Sequence, residues 1–263
     1  MELTKKGKEV KINFTGTMDL MNYIDSKFIA NRHSQGEMRH GFCPYDWEAT
    51  RDGFLKGWAE SESIKINADR ITMEGRSTGY TTEFNVTGDF IDVGDFLSGV
   101  PECWGSVIEE PKAMKQATVL IDCMAHCGIN AGDIENRGSA IISMIDQLRE
   151  SGHYLSITIA SYFKDVHNGI SIAPSITFET DNGYSRDVLA FCIAHPGMLR
   201  RMFFGVLETY FKKNSLGSYG SCGKQTQKGY DIFLEDITAG YWGTIEAAKG
   251  NIDKVIENYE RKA

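Results

Sequence analysis

Residues 117–130 read ATVLIDCMAHCGIN, and within five positions they supply two thiols and an imidazole: Cys123, His126 and Cys127. That trio is soft-ligand chemistry, the kind that holds zinc, with His195 or His167 as a fourth ligand. Structural zinc sites draw on two separated pairs, and one cluster stands here, so neither a metal nor any other cofactor is expected. Asp122 closes the apolar run Val119-Leu120-Ile121 and starts a second set. With Asp165, His126 and His195 it holds the donors a metal-dependent hydrolase would use, which is one alternative reading. Cys192 and His195 could act as nucleophile and base, but no third residue evident in the sequence would orient the imidazole. The stretch LGSYGSCGKQT fails the phosphate-loop pattern at Ser218 and Gln225 and follows a helix instead of a strand. Arg200 and Arg201 follow His195-Pro196, where they could bind an anion or an acidic partner. Trp47 and Trp58 beside Arg51 and Lys56 could stack nucleobases, although helical spacing predicts core packing for both.

The spacing of apolar residues says what positions these groups. Val10–Phe14 alternates and predicts a strand, and a short helix follows with Thr17 as its cap. Asp46–Trp58 has helical spacing. Ser77–Phe96 alternates as a strand or hairpin, and Asp92–Gly105 reads as a turn-rich connector. Ala117–Cys123 is a buried-type strand. Asn130–Ser151 is a helix that Asn130 caps, Asp133 and Glu135 favour through the dipole, and Gly152 ends. Tyr154–Tyr162 is the next strand, so this is a βαβ unit with parallel strands. Ile170–Phe178 predicts a further strand, and Arg186–Ile193, Met198–Phe211 and Ile245–Tyr259 predict helices. In open α/β sheets ligands gather beyond the carboxyl ends of the strands, the position of Asp122.

The chain has 263 residues, 41% of them hydrophobic and 24% charged, with a formal net charge of −8. That balance suits a folded protein and disfavours broad binding to phosphate backbones. No apolar run approaches the roughly 18 residues that a membrane crossing needs. MELTKKGKEVKINF has no apolar segment behind its charges, so a cytoplasmic location with reduced thiols is expected.

The segment from Ala117 to Phe163 resembles the first βαβ unit of a von Willebrand factor A-type domain. In that family the first strand ends in Asp-x-Ser-x-Ser, which holds a divalent ion. Asp122 matches the aspartate, while Met124 and His126 stand at the serine positions and offer no hard oxygen. The resemblance covers about residues 115–240 and implies an α/β fold with a three-layer unit and a degenerate metal motif; the chain is expected to divide into an α+β portion, residues 1–110, and that unit, residues 111–263. The whole chain, with DVGDFLSGVPECW ahead of the strand and LAFCIAHPGMLRRMFF behind it, is also similar to uncharacterised proteins of tailed phages and mobile elements, which implies a host-cell cytoplasmic setting. Together these features predict a non-enzymatic binding or adaptor protein with a protein partner. Its contacts are expected at the strand-end face of Asp122, His126, Asn130 and Asp165, or on the basic helix of Arg200 and Arg201. A single-stranded nucleic-acid-binding or transcription and replication accessory protein is the other alternative.

Overall fold

The computed structural model describes residues 1–30, 32–37, 43–58, 80–109, 115–126, 128–164, 169–180, 185–211, 221–222, 228–237 and 242–261. Strand β1 (Glu2–Lys6) turns at Gly7, whose φ of 61° suits a residue without Cβ, and pairs antiparallel with β2 (Glu9–Phe14). Helix α1 (Thr17–Asp25) follows. Thr17 is its first helical residue and not its cap; Gly16 takes the cap position, and Asp19 instead accepts the Thr15 N–H at 3.2 Å. A 3₁₀ turn covers His33–Gln35, and α2 (Trp47–Lys56) is capped by Asp46, which accepts the Ala49 N–H at 2.7 Å. Then come β3 (Tyr80–Asn85), β4 (Phe90–Ile91), the short α3 (Val93–Leu97) and β5 (Trp104–Glu109).

The βαβ unit is β6 (Lys115–Asp122), α4 (Ala131–Glu150) and β7 (His153–Ala160). Asn130 and Asp133 form a reciprocal capping box at the start of α4. Gly152 ends the turn after α4 with a φ of 83°, the left-handed geometry that its sequence position predicts. The chain continues through β8 (Phe163–Lys164), β9 (Ser171–Glu179) and α5 (Arg186–Ala194). A π-helical stretch, Met198–Phe203, runs into α6 (Phe204–Phe211). The last elements are β10 (Ser221–Cys222), β11 (Ile232–Leu234) and α7 (Ile245–Glu260).

The fold is α/β, on a mixed sheet ordered β1-β2-β9-β7-β6-β11, with β8 paired to β9 and β10 paired to β8. β7, β6 and β11 are parallel, β2 runs parallel to β9, and β9 is antiparallel to β7. Alternation sorts the side chains. Val10, Ile12, Ala117, Val119, Ile157 and Ile176 enter one apolar core, while Lys11, Asn13, Thr158, Ser175 and Thr177 occupy the opposite face. Each fully buried Ile or Val of that core contributes about 1.5–3 kcal/mol. The helices meet one another as a connected layer, α7 on α4, α4 on α5, α5 on α2, and α1 on α2 and α6.

Residues 2–14 lie in the same sheet as β6–β9, and Phe54 of α2 meets Phe191 of α5 with ring centroids 5.6 Å apart. Residues 2–14 thus share a sheet, and Phe54 a core, with elements beyond residue 115. Residues 80–109 stand differently. Their strands form a separate antiparallel sheet, β3-β5-β4.

Candidate functional site

Asp122 lies where the sequence expects it, at the carboxyl end of β6, but it is only 1% exposed. Its Oδ1 accepts the Met124 N–H at 3.0 Å and shapes the turn that leaves the strand. Beneath it sits Arg137 of α4, also buried. The Arg137 Nη2 donates to the carbonyls of Asp122 (3.1 Å), Leu234 (3.3 Å) and Glu235 (2.6 Å), and the guanidinium lies 5.4 Å from the Trp242 ring centroid. Burial pulls the Arg137 pKa down to about 10, opposed by Asp122, so it stays charged at neutral pH. This cation ties the ends of β6 and β11 to α4; it is a clamp between elements.

The thiol and imidazole groups are likewise engaged within the fold. Cys123 Sγ lies 3.0 Å from Ser161 Oγ, and burial drives its pKa up to about 12, far from a reactive thiolate. His126 is exposed, and its Nδ1 accepts the Gly128 N–H at 3.2 Å. Asn130 is exposed on the same rim but spends its side-chain oxygen on the Asp133 N–H at 2.9 Å. Asp165, Cys127 and His167 fall outside the described residues, as does most of LGSYGSCGKQT. Among the described residues no three His, Cys, Asp or Glu groups converge on a metal position.

His195 lies elsewhere, stacked on Phe191 at 4.3 Å and flanked by Tyr45 (4.3 Å) and Trp58 (4.8 Å). Its Nδ1 accepts the Gly197 N–H at 2.9 Å, and burial, helped by Arg201, drops its pKa to about 3. Burial also pushes the Cys192 thiol well up. Both groups are therefore held neutral, the reverse of an activated thiolate–imidazolium pair. Trp58 is core, as its spacing predicts.

The expected basic surface helix is interior. Arg200 and Arg201 are 0% and 2% exposed. Both lie in the π-helical stretch Met198–Phe203. Arg200 Nη2 donates to the Ile129 carbonyl at 2.7 Å, just before the α4 cap, and so braces the strand-end loop. Arg201 donates to the carbonyls of Ser34 (2.9 Å), Gly36 (3.3 Å) and Tyr45 (2.6 Å). Arg32 and Glu208 repeat the pattern: Arg32 donates to Ile24, Lys27 and Gly205 carbonyls, and Glu208 accepts from Ser34 at 2.6 and 3.0 Å. The guanidinium groups thus hold loops whose carbonyls need donors in the interior. A polar groove of about 380 Å³ on the other sheet face is lined by Asn13, Thr158, Ser175, Thr177 and Glu179. There too the side chains answer one another: Ser175 donates to Asn13 Oδ1 at 2.7 Å and Ser156 to Glu179 at 2.8 Å.

What remains open is the small sheet. Among the described residues, nine of the thirteen exposed large apolar side chains lie between Phe84 and Val107; the other four are Met1, Leu3, Met18 and Phe28. Phe84 and Phe90 flank Gly105 on one face with centroids 6.2 Å apart, and the Phe90 ring fills the space that a Cβ at Gly105 would need. Trp104 and Ile91 pair across β5 and β4, in the alternate register. On α3, Phe96 is 57% and Leu97 78% exposed. Only Cys103 and Gly105 are buried within residues 82–107. The same stretch holds a one-sided charge: residues 80–109 carry Glu83, Asp89, Asp92, Asp95, Glu102 and Glu109 and no Lys, Arg or His. Sequence reading missed this surface because DVGDFLSGVPECWG reads as a connector; the signal was the bulky apolar residues in a stretch without a single base.

These features define an α/β protein whose interior cations serve its own backbone and whose open apolar surface lies on an appended small sheet. Residues 2–256 match the model of the family described as Domain of unknown function (DUF7192), and the chain belongs to that family. No curated protein and no solved structure matches the chain. No helix among the described residues is long and apolar enough to cross a membrane.

Proposed function

We propose that the protein is a non-enzymatic binding or adaptor protein and that it contacts a protein partner through residues 80–109. The observation that carries this reading is the concentration of exposed Phe84, Phe90, Val93, Phe96, Leu97 and Trp104 on one small unit. Exposed large apolar side chains gathered on one small unit are costly in water and mark contact sites. The strand-end face supports the reading from the other side, since Asp122, Cys123 and Arg137 are occupied with holding β6, β11 and α4. His126 and Asn130 form a polar rim beyond them. On the resemblance to tailed-phage proteins, the partner is a host or phage protein. The nucleic-acid alternative loses two of its cations, because Arg200 and Arg201 face the interior.

The test is capture by the purified chain from nuclease-treated host lysate, beside a variant with Phe84→Ser, Phe96→Ser and Leu97→Ser. A protein captured by the parent and lost by the variant, with circular dichroism unchanged, is the expected result. Capture that survives the triple change removes residues 80–109 as the contact surface.

A further inference from the structure

The charge on the open surface narrows the class of partner. Residues 80–109 hold six carboxylates and no base, in a chain whose net charge is −8. Asp92 and Asp95 stand at the start of α3, in the same short helix as the exposed Phe96 and Leu97, and Asp89 lies three residues ahead of Asp92 in the chain. Asp92 also caps α3, accepting the Asp95 N–H at 3.0 Å. An apolar ridge within a field of one sign recruits the opposite sign and repels its own. A second copy of this chain would set six carboxylates against six. A nucleic-acid backbone and an anionic membrane are repelled in the same way. A purely hydrophilic cation would leave Phe96 and Leu97 in water.

Building on the contact surface proposed above, we infer that its occupant is a cationic amphipathic segment of another protein, with apolar residues to cover Phe96 and Leu97 and Lys or Arg residues to meet Asp89, Asp92 and Asp95. The apolar contact supplies affinity, and the carboxylates select the partner and speed its arrival.

The experiment titrates the full chain into three labelled synthetic peptides and follows fluorescence anisotropy. One is an amphipathic Leu/Lys peptide, one its Leu/Glu counterpart, and one a Ser/Lys peptide of equal charge. The Leu/Lys peptide is expected to bind at least about tenfold tighter than either control, and to weaken as salt rises from about 0.05 M to about 0.5 M. Asp89→Asn, Asp92→Asn and Asp95→Asn together are expected to cost about tenfold, because asparagine keeps the α3 cap and removes only the charge. The matched triple Glu246→Gln, Asp253→Asn and Glu257→Gln on α7 changes net charge equally and is expected to leave binding as it was. Phe96→Ser with Leu97→Ser costs about tenfold or more. Equal binding of the Leu/Lys and Leu/Glu peptides, both lost with Phe96→Ser and Leu97→Ser, would overturn the cationic partner and leave the contact surface standing. Equal losses from the α7 triple and the α3 triple would overturn it too, since net charge alone would then explain the attraction. Binding that ignores Phe96→Ser and Leu97→Ser, or no binding by any peptide, would overturn the surface together with its partner.

Discussion

At the scale of residues, the chemistry-bearing groups divide by what their surroundings do to charge. Cys123 and His195 are held neutral by burial, while Arg137 stays charged because its pKa falls only to about 10, with Asp122 opposing the burial. His195 makes this measurable. Its folded-state pKa of about 3 lies below the ordinary 6.5, so above pH 6.5 both states are neutral and stability does not depend on this group. Between pH 6.5 and about 3 the unfolded chain takes up a proton that the folded chain refuses. Stability from this group is therefore lost as pH falls, by up to about 1.4 kcal/mol per pH unit. Urea midpoints followed from pH 7 to pH 4 are expected to drop less steeply in a His195→Phe variant than in the parent. Equal slopes would mean that His195 can accept its proton without unfolding the Phe191–Tyr45–Trp58 cage.

Elements are joined here by close approach as much as by apolar area. α4 crosses α5 at Gly138, where an added Cβ would stand 2.2 Å from Ala194 Cβ and 2.5 Å from Ala194 Cα. Alanine is about 1 kcal/mol better than glycine inside a helix, but overpacking costs about 1–3 kcal/mol, and here the obstacle includes backbone. Gly138→Ala is thus expected to lower Tm. Gly250 in α7 is the counterpart, since a Cβ there meets nothing within 4 Å. Gly250→Ala is expected to raise stability by about 0.5–1 kcal/mol. Calorimetry on the two variants reads the sign directly; a rise in Tm for both would mean that α4 and α5 can slide apart at no cost. Asn130→Ala tests the strand-end loop in the same way, with an expected loss of about 1 kcal/mol from the α4 cap.

For the whole molecule, the contrast is between a sheet with an apolar core and an appended sheet with little to bury. A three-stranded sheet needs an apolar face against something to be stable, and residues 82–107 bury only Cys103 and Gly105. Native-state hydrogen exchange is expected to show amides of β3, β4 and β5 opening at far lower free energy than those of β6 and β7. Binding of the Leu/Lys peptide is expected to slow exchange in β3–β5 and leave β6 and β7 unchanged. Uniform protection across both sheets would mean that the small sheet draws its stability from the main core.

Local pattern was enough for the βαβ unit. The apolar run 117–121, the Asn130 cap, the helical stripe and Gly152 all act within a few residues, so β6, α4 and β7 follow from sequence within one or two positions. The same holds for β9, α5 and α7, and for the Trp58 core position. Three outcomes needed the tertiary structure. The hairpin β1–β2 joins β9 through pairing between residues some 160 positions apart, which no local period encodes. Arg200 and Arg201 look like a surface pair on any helical projection; only the folded chain brings the carbonyls of Ile129, Ser34 and Tyr45 within their reach. Residues 80–109 are as apolar as many core strands. Whether such side chains face a core or the solvent depends on what packs over them, and that is a property of the assembled molecule.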